Sequence, residues 1–174
     1  AVNVRPALSL DVVLMMVAHV PWQKASSRAI SAADDRLAMV EAAVVGIDGV
    51  EASRIELDRG GDSYTADTIA ELRRRLPGAE IHTILGDDAA AGLTTWSRWD
   101  EVVATSRLVV VDRPGAPIEL PAVAPWQRVE VPRLEVSSTD LRARVVDGRP
   151  LDFLVPDAVV RLIGERRLYR GAAA

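Results

Sequence analysis

The chain has 174 residues, no cysteine, two histidines and a formal net charge of −4. That length suits one domain able to bury a core without staples. The lack of cysteine excludes disulfides and thiolate chemistry, and the acidic balance argues against nucleic acid as a partner. His19 and His82 stand too far apart in sequence for a closed zinc site, and no metal-ligating residue set is read from the chain. No apolar run approaches the ~20 residues of a membrane span, and residues 1–10 lack the basic-then-apolar layout of a signal peptide. A soluble, cytoplasmic protein without a membrane partner is the expectation.

Residues 1–10 read as the interior of a helix that Pro6 bends or ends, with no cap ahead of it. This points to chain upstream of Ala1. Residues 11–18 form a continuous apolar run of strand length, of the kind covered on both faces in a parallel sheet. His19-Val20-Pro21-Trp22-Gln23-Lys24 follows as a loop. Lys24 falls just past the strand's carboxyl end, the ligand edge of open α/β sheets. A solvated surface lysine is the plain alternative. His19 reads as a hydrogen-bonded loop residue before it reads as a catalyst, and Trp22 as a packing residue. Ser31 is predicted to cap a helix over 32–45, striped by Leu37, Val40, Val44 and Val45 and stopped by Gly46.

Residues 50–58 alternate and predict a strand with one wetter face. The glycine-rich loop Arg59-Gly60-Gly61-Asp62-Ser63-Tyr64-Thr65 comes next, with Thr65 predicted to cap a helix over 66–76. A helix start on a strand's carboxyl side presents N–H donors to a carboxylate or phosphate. On pattern alone, a plain loop and cap is the stronger reading. Residues 80–85 predict another strand, with His82 structural, and Gly86-Asp87-Asp88 follow at once. Glycine lets a ligand approach the backbone. An acidic residue past a strand can accept from ribose hydroxyls, although aspartate is equally a helix cap.

Leu93, Trp96, Trp99, Val102 and Val103 recur at helical spacing up to residue 105. Thr94-Thr95 could split that helix and bring Trp96 to the ligand edge, where an indole stacks on an aromatic ring; simple core packing is the alternative. Residues 107–112 predict a buried strand, with Arg113-Pro114-Gly115 after it. Residues 117–132 are proline-rich and irregular, with a short strand near 126–130. A strand over 129–135 then leads into Val136-Ser137-Ser138-Thr139-Asp140-Leu141-Arg142 and a helix with Leu141, Val145 and Val146 on one side. Hydroxyls at such a junction meet free N–H groups and the positive end of the helix dipole, a natural seat for phosphate. Arg142, one turn on, adds a forked donor. An ordinary N-cap is the plain alternative. Pro156 is predicted to start a last helix within 151–161.

Strands and helices alternate, and the strands look buried. The expectation is an α/β fold: a Rossmann-like open sheet, mostly parallel, with helices on both faces, in a single domain over 1–174. Lys24, Thr65, Gly86, Asp88 and residues 137–142 all follow strand ends, and their convergence on one edge would make a nucleotide site.

Six segments carry a resemblance: Pro21 to Lys24, Asp58 to Thr65, Gly86-Asp87-Asp88, Thr95-Trp96-Ser97-Arg98-Trp99, Arg113-Pro114-Gly115 and Ser137 to Arg142. Together, and in this order, they resemble the bacterial nicotinate-nucleotide adenylyltransferases of actinobacterial type, within the nucleotidyltransferase superfamily. The resemblance covers nearly the whole chain. It implies AMP transfer from ATP to nicotinate mononucleotide, giving deamido-NAD and pyrophosphate in NAD biosynthesis. Magnesium would be held mainly by the ATP phosphates and water. By the same resemblance Lys24 and Arg142 are the phosphate-contacting catalytic cations. Lys24, Tyr64, Thr65 (through its backbone) and Trp96 would hold the nicotinate nucleotide. Gly86, Asp88, Arg113, Ser137, Ser138, Thr139 and Arg142 would hold ATP. A homo-oligomer is left open.

The family's glycine-rich Thr-Phe-Asp-Pro loop and its His-x-Gly-His motif do not occur in residues 1–174. The first strand and that segment are expected upstream of Ala1. Without them, negligible catalysis and poor stability are expected, because a central strand would be lost. Two further readings therefore stand beside the first. One is a non-catalytic nucleotide-binding module. The other is an adenylyltransferase for nicotinamide mononucleotide or phosphopantetheine.

Overall fold

The computed structural model describes residues 1–20, 30–112, 119–132 and 134–170. In chain order the described elements are α1 (Val4–Ala7), β1 (Val13–Met16), α2 (Ala33–Val44), β2 (Val50–Ser53), α3 (Ile55–Arg59), α4 (Thr65–Arg75) and β3 (His82–Gly86). Then follow α5 (Asp87–Ala91), a 3-10 turn (Leu93–Thr95), α6 (Trp99–Thr105), β4 (Arg107–Asp112), β5 (Trp126–Glu130), α7 (Ser138–Asp147) and α8 (Asp157–Glu165). The chain divides into two compact units. One combines Ala1–Asp11 with Gly61–Arg133, the other Val12–Gly60 with Leu134–Ala174.

The first unit is built on the sheet β3-β4-β5, parallel throughout, with His82 opposite Arg107 and Leu108 opposite Trp126. Its middle strand explains the sequence pattern. Leu108 and Val110 join Ala66, Ile69, Leu85, Ala90, Leu93 and Val102 in one apolar cluster. Val109 joins Val4 and Val129 in another, with Ile84 and Val111 packed beside them. A strand whose alternate residues both enter cores needs an unbroken apolar run rather than an alternating one. The first cluster draws on α4, α5 and α6, the second on α1, so this sheet carries helices on both faces as expected.

The second unit holds the parallel pair β1-β2, with Val13 opposite Val50 and Met16 opposite Ser53. Its helical core gathers Leu151, Val159 and Ile163, with Met39, Ala42 and Ala43 of α2, Leu141 and Val145 of α7, and Leu168 and Tyr169 packed against them. Arg36 of α2 holds the chain just past β1 by donating to the carbonyls of Ala18 at 2.6 Å and His19 at 2.9 Å. Burial lowers its pKa, and the Tyr169 charge opposes that shift. The α/β class and the parallel pairing hold in both units.

Several local expectations are corrected. The strand expected over 50–58 ends at Ser53, and Ile55–Arg59 is helical. Alternation over so few residues fits either state, and the Arg54–Asp58 pair (Nε to Oδ1, 2.8 Å) is an i,i+4 helical contact. Ser31 does not cap α2: Ala32 holds the cap position, and the Ser31 carbonyl accepts from Arg36 Nε at 3.1 Å. Thr65 does not cap α4 either. Tyr64 occupies that position and Thr65 is the first helical residue. Pro6 stays inside α1, in a first turn where its missing N–H would lack a partner anyway. Strand β5 stops at Glu130 instead of continuing to 135, because Pro132 cannot donate to a ladder. The last helix starts at Asp157, with Pro156 at its cap position. Among the described residues no helix is long and apolar enough to cross a membrane.

Candidate nucleotide site

Strand β3 ends at Gly86, whose backbone is ordinary and extended (φ −77°, ψ 163°). A Cβ added there would meet nothing within 4 Å. Neither backbone geometry nor packing against described residues requires glycine here. What glycine leaves is open space at the carboxyl end of a parallel strand, where a ligand can come against the backbone. Asp87 and Asp88 form the first turn of α5. The Asp87 Oδ1 atom is buried with no hydrogen-bond partner among the described residues. An orphaned buried acceptor of this kind costs about 1–3 kcal/mol, and a bound donor would relieve that cost. Sequence reasoning chose Gly86 and Asp88 and passed over Asp87. The only signal was its place between them.

The second piece joins the start of α4 to the turn before α6. Thr68 donates from its backbone N (3.2 Å) and its hydroxyl (3.3 Å) to the Tyr64 carbonyl, fixing the first turn of the helix. The helical pattern running up to residue 105 is split as Thr94-Thr95 foreshadowed, by the 3-10 turn whose C-cap is Trp96. Trp96 and Trp99 are half-buried and pack against the Leu93–Val102 cluster. Trp96 is thus packed against the core while remaining only partly buried. Two residues on, Arg98 sits in the left-handed region (φ 55°, ψ 39°). Its Nη2 donates to Asp67 Oδ1 at 2.7 Å, its Nη1 lies 3.8 Å from Glu101 Oε2, and its guanidinium carbon stands 5.7 Å from the Tyr64 ring centre. The Asp67 hydrogen bond raises the Arg98 pKa, with burial opposing. Left-handed backbone costs an L-residue about 1–2 kcal/mol. A half-exposed ion pair returns about 0.2–1 kcal/mol and the cation–ring contact about 0.5–1.

In the second unit lies the N-terminus of α7. Ser137 is its N-cap, and its hydroxyl accepts from the Asp140 N–H at 3.1 Å. The plain capping reading therefore holds for Ser137. Ser138, Thr139 and Arg142 lie exposed or part-exposed in the first turns, and Arg142 Nη2 reaches Thr139 Oγ1 at a long 3.5 Å. Asp140 is engaged by Arg144 at 2.7 Å and Arg149 at 3.6 Å, and the Arg144 hydrogen bond, first among the causes, holds its carboxyl below the usual range. The one acid of that turn is thus neutralised by cations other than Arg142. At the opposite end of β3, His82 Nε2 and Arg107 Nη2 lie 2.8 Å and 2.7 Å from the Glu80 carboxylate. This pairing fits the structural reading of His82.

Tyr64, Thr65, Gly86, Asp88 and Trp96 lie in the first unit, and Ser137, Ser138, Thr139 and Arg142 in the second. Lys24 and Arg113, like Pro21, Trp22 and Gln23, lie outside the described residues. Among the described residues no group of three histidine, aspartate or glutamate side chains could hold a metal ion.

A family model described as cytidylyltransferase-like matches residues 1–144. A Streptomyces coelicolor protein named "Probable nicotinate-nucleotide adenylyltransferase" is 44% identical over 98% of this chain and 92% of its own length. A Frankia casuarinae protein of the same name is 43% identical over 99% and 92%. The chain belongs to the cytidylyltransferase-like family and, within it, to the nicotinate-nucleotide adenylyltransferases. In fold it is similar to the Plasmodium falciparum nicotinic acid mononucleotide adenylyltransferase complexed with NaAD, with a TM-score of 0.74 at 12% identity over 92% of this chain and 83% of that one. The same enzyme complexed with APC gives a TM-score of 0.68 at 13% identity over the same shares. At these identities the likeness speaks for the fold alone, which is the Rossmann-like nucleotidyltransferase fold.

Proposed function

We propose that this protein is an adenylyltransferase that joins ATP and nicotinate mononucleotide to give deamido-NAD and pyrophosphate. The observation that carries the reading is 44% identity across almost the whole chain to a protein of that name. In the reaction a phosphate oxygen of nicotinate mononucleotide attacks the α-phosphorus of ATP in line. The bond to the β-phosphate breaks and pyrophosphate leaves. No covalent enzyme intermediate is required, so the protein's task is to position two anionic substrates and neutralise their charge.

In this reading Ser138, Thr139 and Arg142 grip the ATP phosphates at the start of α7, where the Ser137 cap accepts from the Asp140 N–H and a helix N-terminus favours an anion. Gly86 admits the nucleotide against the end of β3, and Asp88 accepts from its ribose. The Thr65 backbone receives the nicotinate carboxylate, Trp96 and Tyr64 line the ring, and Lys24 and Arg113 contact phosphate. Magnesium would enter on the ATP phosphates and supply charge neutralisation at the transferred phosphoryl group. A single nucleotidyltransferase-like domain over 1–174 and a cytoplasmic setting belong to the same reading, which leaves the oligomeric state open.

The test is to compare kcat/KM of the full-length protein for nicotinate mononucleotide, nicotinamide mononucleotide and phosphopantetheine as acceptors. The highest value is expected for nicotinate mononucleotide; a higher one for phosphopantetheine would sink the assignment. Trp96→Ala should raise KM for nicotinate mononucleotide far more than KM for ATP. An equal effect on both would remove the stacking role.

A further inference from the structure

Arg98 adopts left-handed backbone at φ 55°, as do Ser9, Phe153, Arg167 and Tyr169 among the described non-glycine residues, and it differs from them in standing between the Trp96 turn and α6. Left-handed backbone under a long side chain is held by its surroundings, and it is the contacts of Arg98 that set it apart. The surroundings here are specific. The guanidinium reaches across to α4, taking Asp67 Oδ1 at 2.7 Å and standing 5.7 Å from the Tyr64 ring centre. It also turns back to Glu101 of its own helix at 3.8 Å. Asp67 is two residues after Thr65, Tyr64 is one before it, and Trp96 is two before Arg98. One side chain thus links the two segments that hold the nicotinate nucleotide in the reading above, on which this inference rests.

The alternative is that the contacts serve stability. They are half-exposed, with Arg98 and Asp67 side chains 39% and 38% accessible, and exposed pairs contribute little. Their gain is comparable with the left-handed backbone cost, so stability alone does not account for an arginine here. Glycine would take the same backbone without strain.

We infer that Arg98 is a positioning residue: through Asp67 and Tyr64 it clamps the Trp96 turn to the first turn of α4, setting the width of the slot that receives the nicotinate ring. The clamp acts on the acceptor nucleotide and leaves ATP untouched.

The experiment is steady-state kinetics and thermal unfolding of the full-length protein beside Arg98→Gly, Arg98→Lys and Asp67→Asn. Arg98→Gly keeps the backbone turn and removes the clamp. It should raise KM for nicotinate mononucleotide about tenfold, leave kcat and KM for ATP within about twofold, and leave Tm unchanged or higher. Asp67→Asn should show the same split. Arg98→Lys, which keeps the charge but loses the planar fork, should restore part of the lost affinity. An Arg98→Gly variant whose KM for nicotinate mononucleotide matches the wild type overturns the clamp. Equal rises in both KM values with a lower Tm also overturn it, by making the role structural. A wild-type protein that does not turn over nicotinate mononucleotide brings down the functional reading and the clamp with it, so the two failures are told apart.

Discussion

Gly86→Ala separates the two reasons a glycine can stand at a strand end. The backbone at 86 is extended with negative φ, and an added methyl meets nothing within 4 Å. Alanine therefore adds neither strain nor a clash with described residues. By restricting the unfolded chain it should stabilise by about 0.4–1 kcal/mol. At this chain length that is a rise in Tm of roughly 1–4 °C. The same methyl occupies the space proposed for the nucleotide. Overfilling a close contact costs about 1–3 kcal/mol, which is roughly a 5- to 150-fold rise in KM for ATP. Scanning calorimetry and initial rates at varied ATP on one preparation read both effects. A Tm that falls by several degrees would show that glycine is needed by the fold. An unchanged KM for ATP would show that no ligand uses the space.

The other predictions are as follows. Ser137→Ala removes the N-cap of α7 and should cost about 1 kcal/mol, whereas Thr65→Ala, which caps nothing, should stay within ~0.5 kcal/mol in denaturant titrations. Leu93→Ala, at a site with no solvent exposure, should cost about 2–5 kcal/mol; a loss below about 1 kcal/mol would mean that the first unit's core is not packed as described. Glu80 is held below the usual carboxylate range by hydrogen bonds from His82 first and Arg107 second. A depressed pKa contributes stability that is present above the unfolded-state pKa and is lost as pH falls through the folded-state value. The Tm gap between wild type and Glu80→Gln should therefore be widest near neutral pH and close in acid, and a gap that widens in acid would contradict the assignment.

Much of this was legible in the sequence because the governing signal was long or redundant. The apolar run at 107–112 predicted a buried strand, and β4 is one, with Val109 and Val110 in separate cores. Ser137 carried both a cap signature and the right distance to the helix behind it. The misses fall where the signal was short. Ile-Glu-Leu over 55–57 alternates like a strand and also fits one helical turn, and the Arg54–Asp58 pair decides for the helix. Tyr64 rather than Thr65 stands at the cap because the backbone of the preceding loop, invisible in residue types, sets where the helix begins. Arg98 has no intrinsic preference for left-handed backbone, so its conformation and its reach to Asp67 could not be read from a chain in which it resembles a surface charge. Asp87 was hidden by its neighbour. Two adjacent aspartates after a strand do not reveal which one is buried without a partner.

The most direct test of the central claim is to incubate the full-length protein with ATP, magnesium and nicotinate mononucleotide and to quantify deamido-NAD and pyrophosphate together. Equimolar formation of both, dependent on nicotinate mononucleotide, is the predicted result. Binding of both nucleotides with no deamido-NAD formed would contradict it and leave a nucleotide-binding module without catalysis.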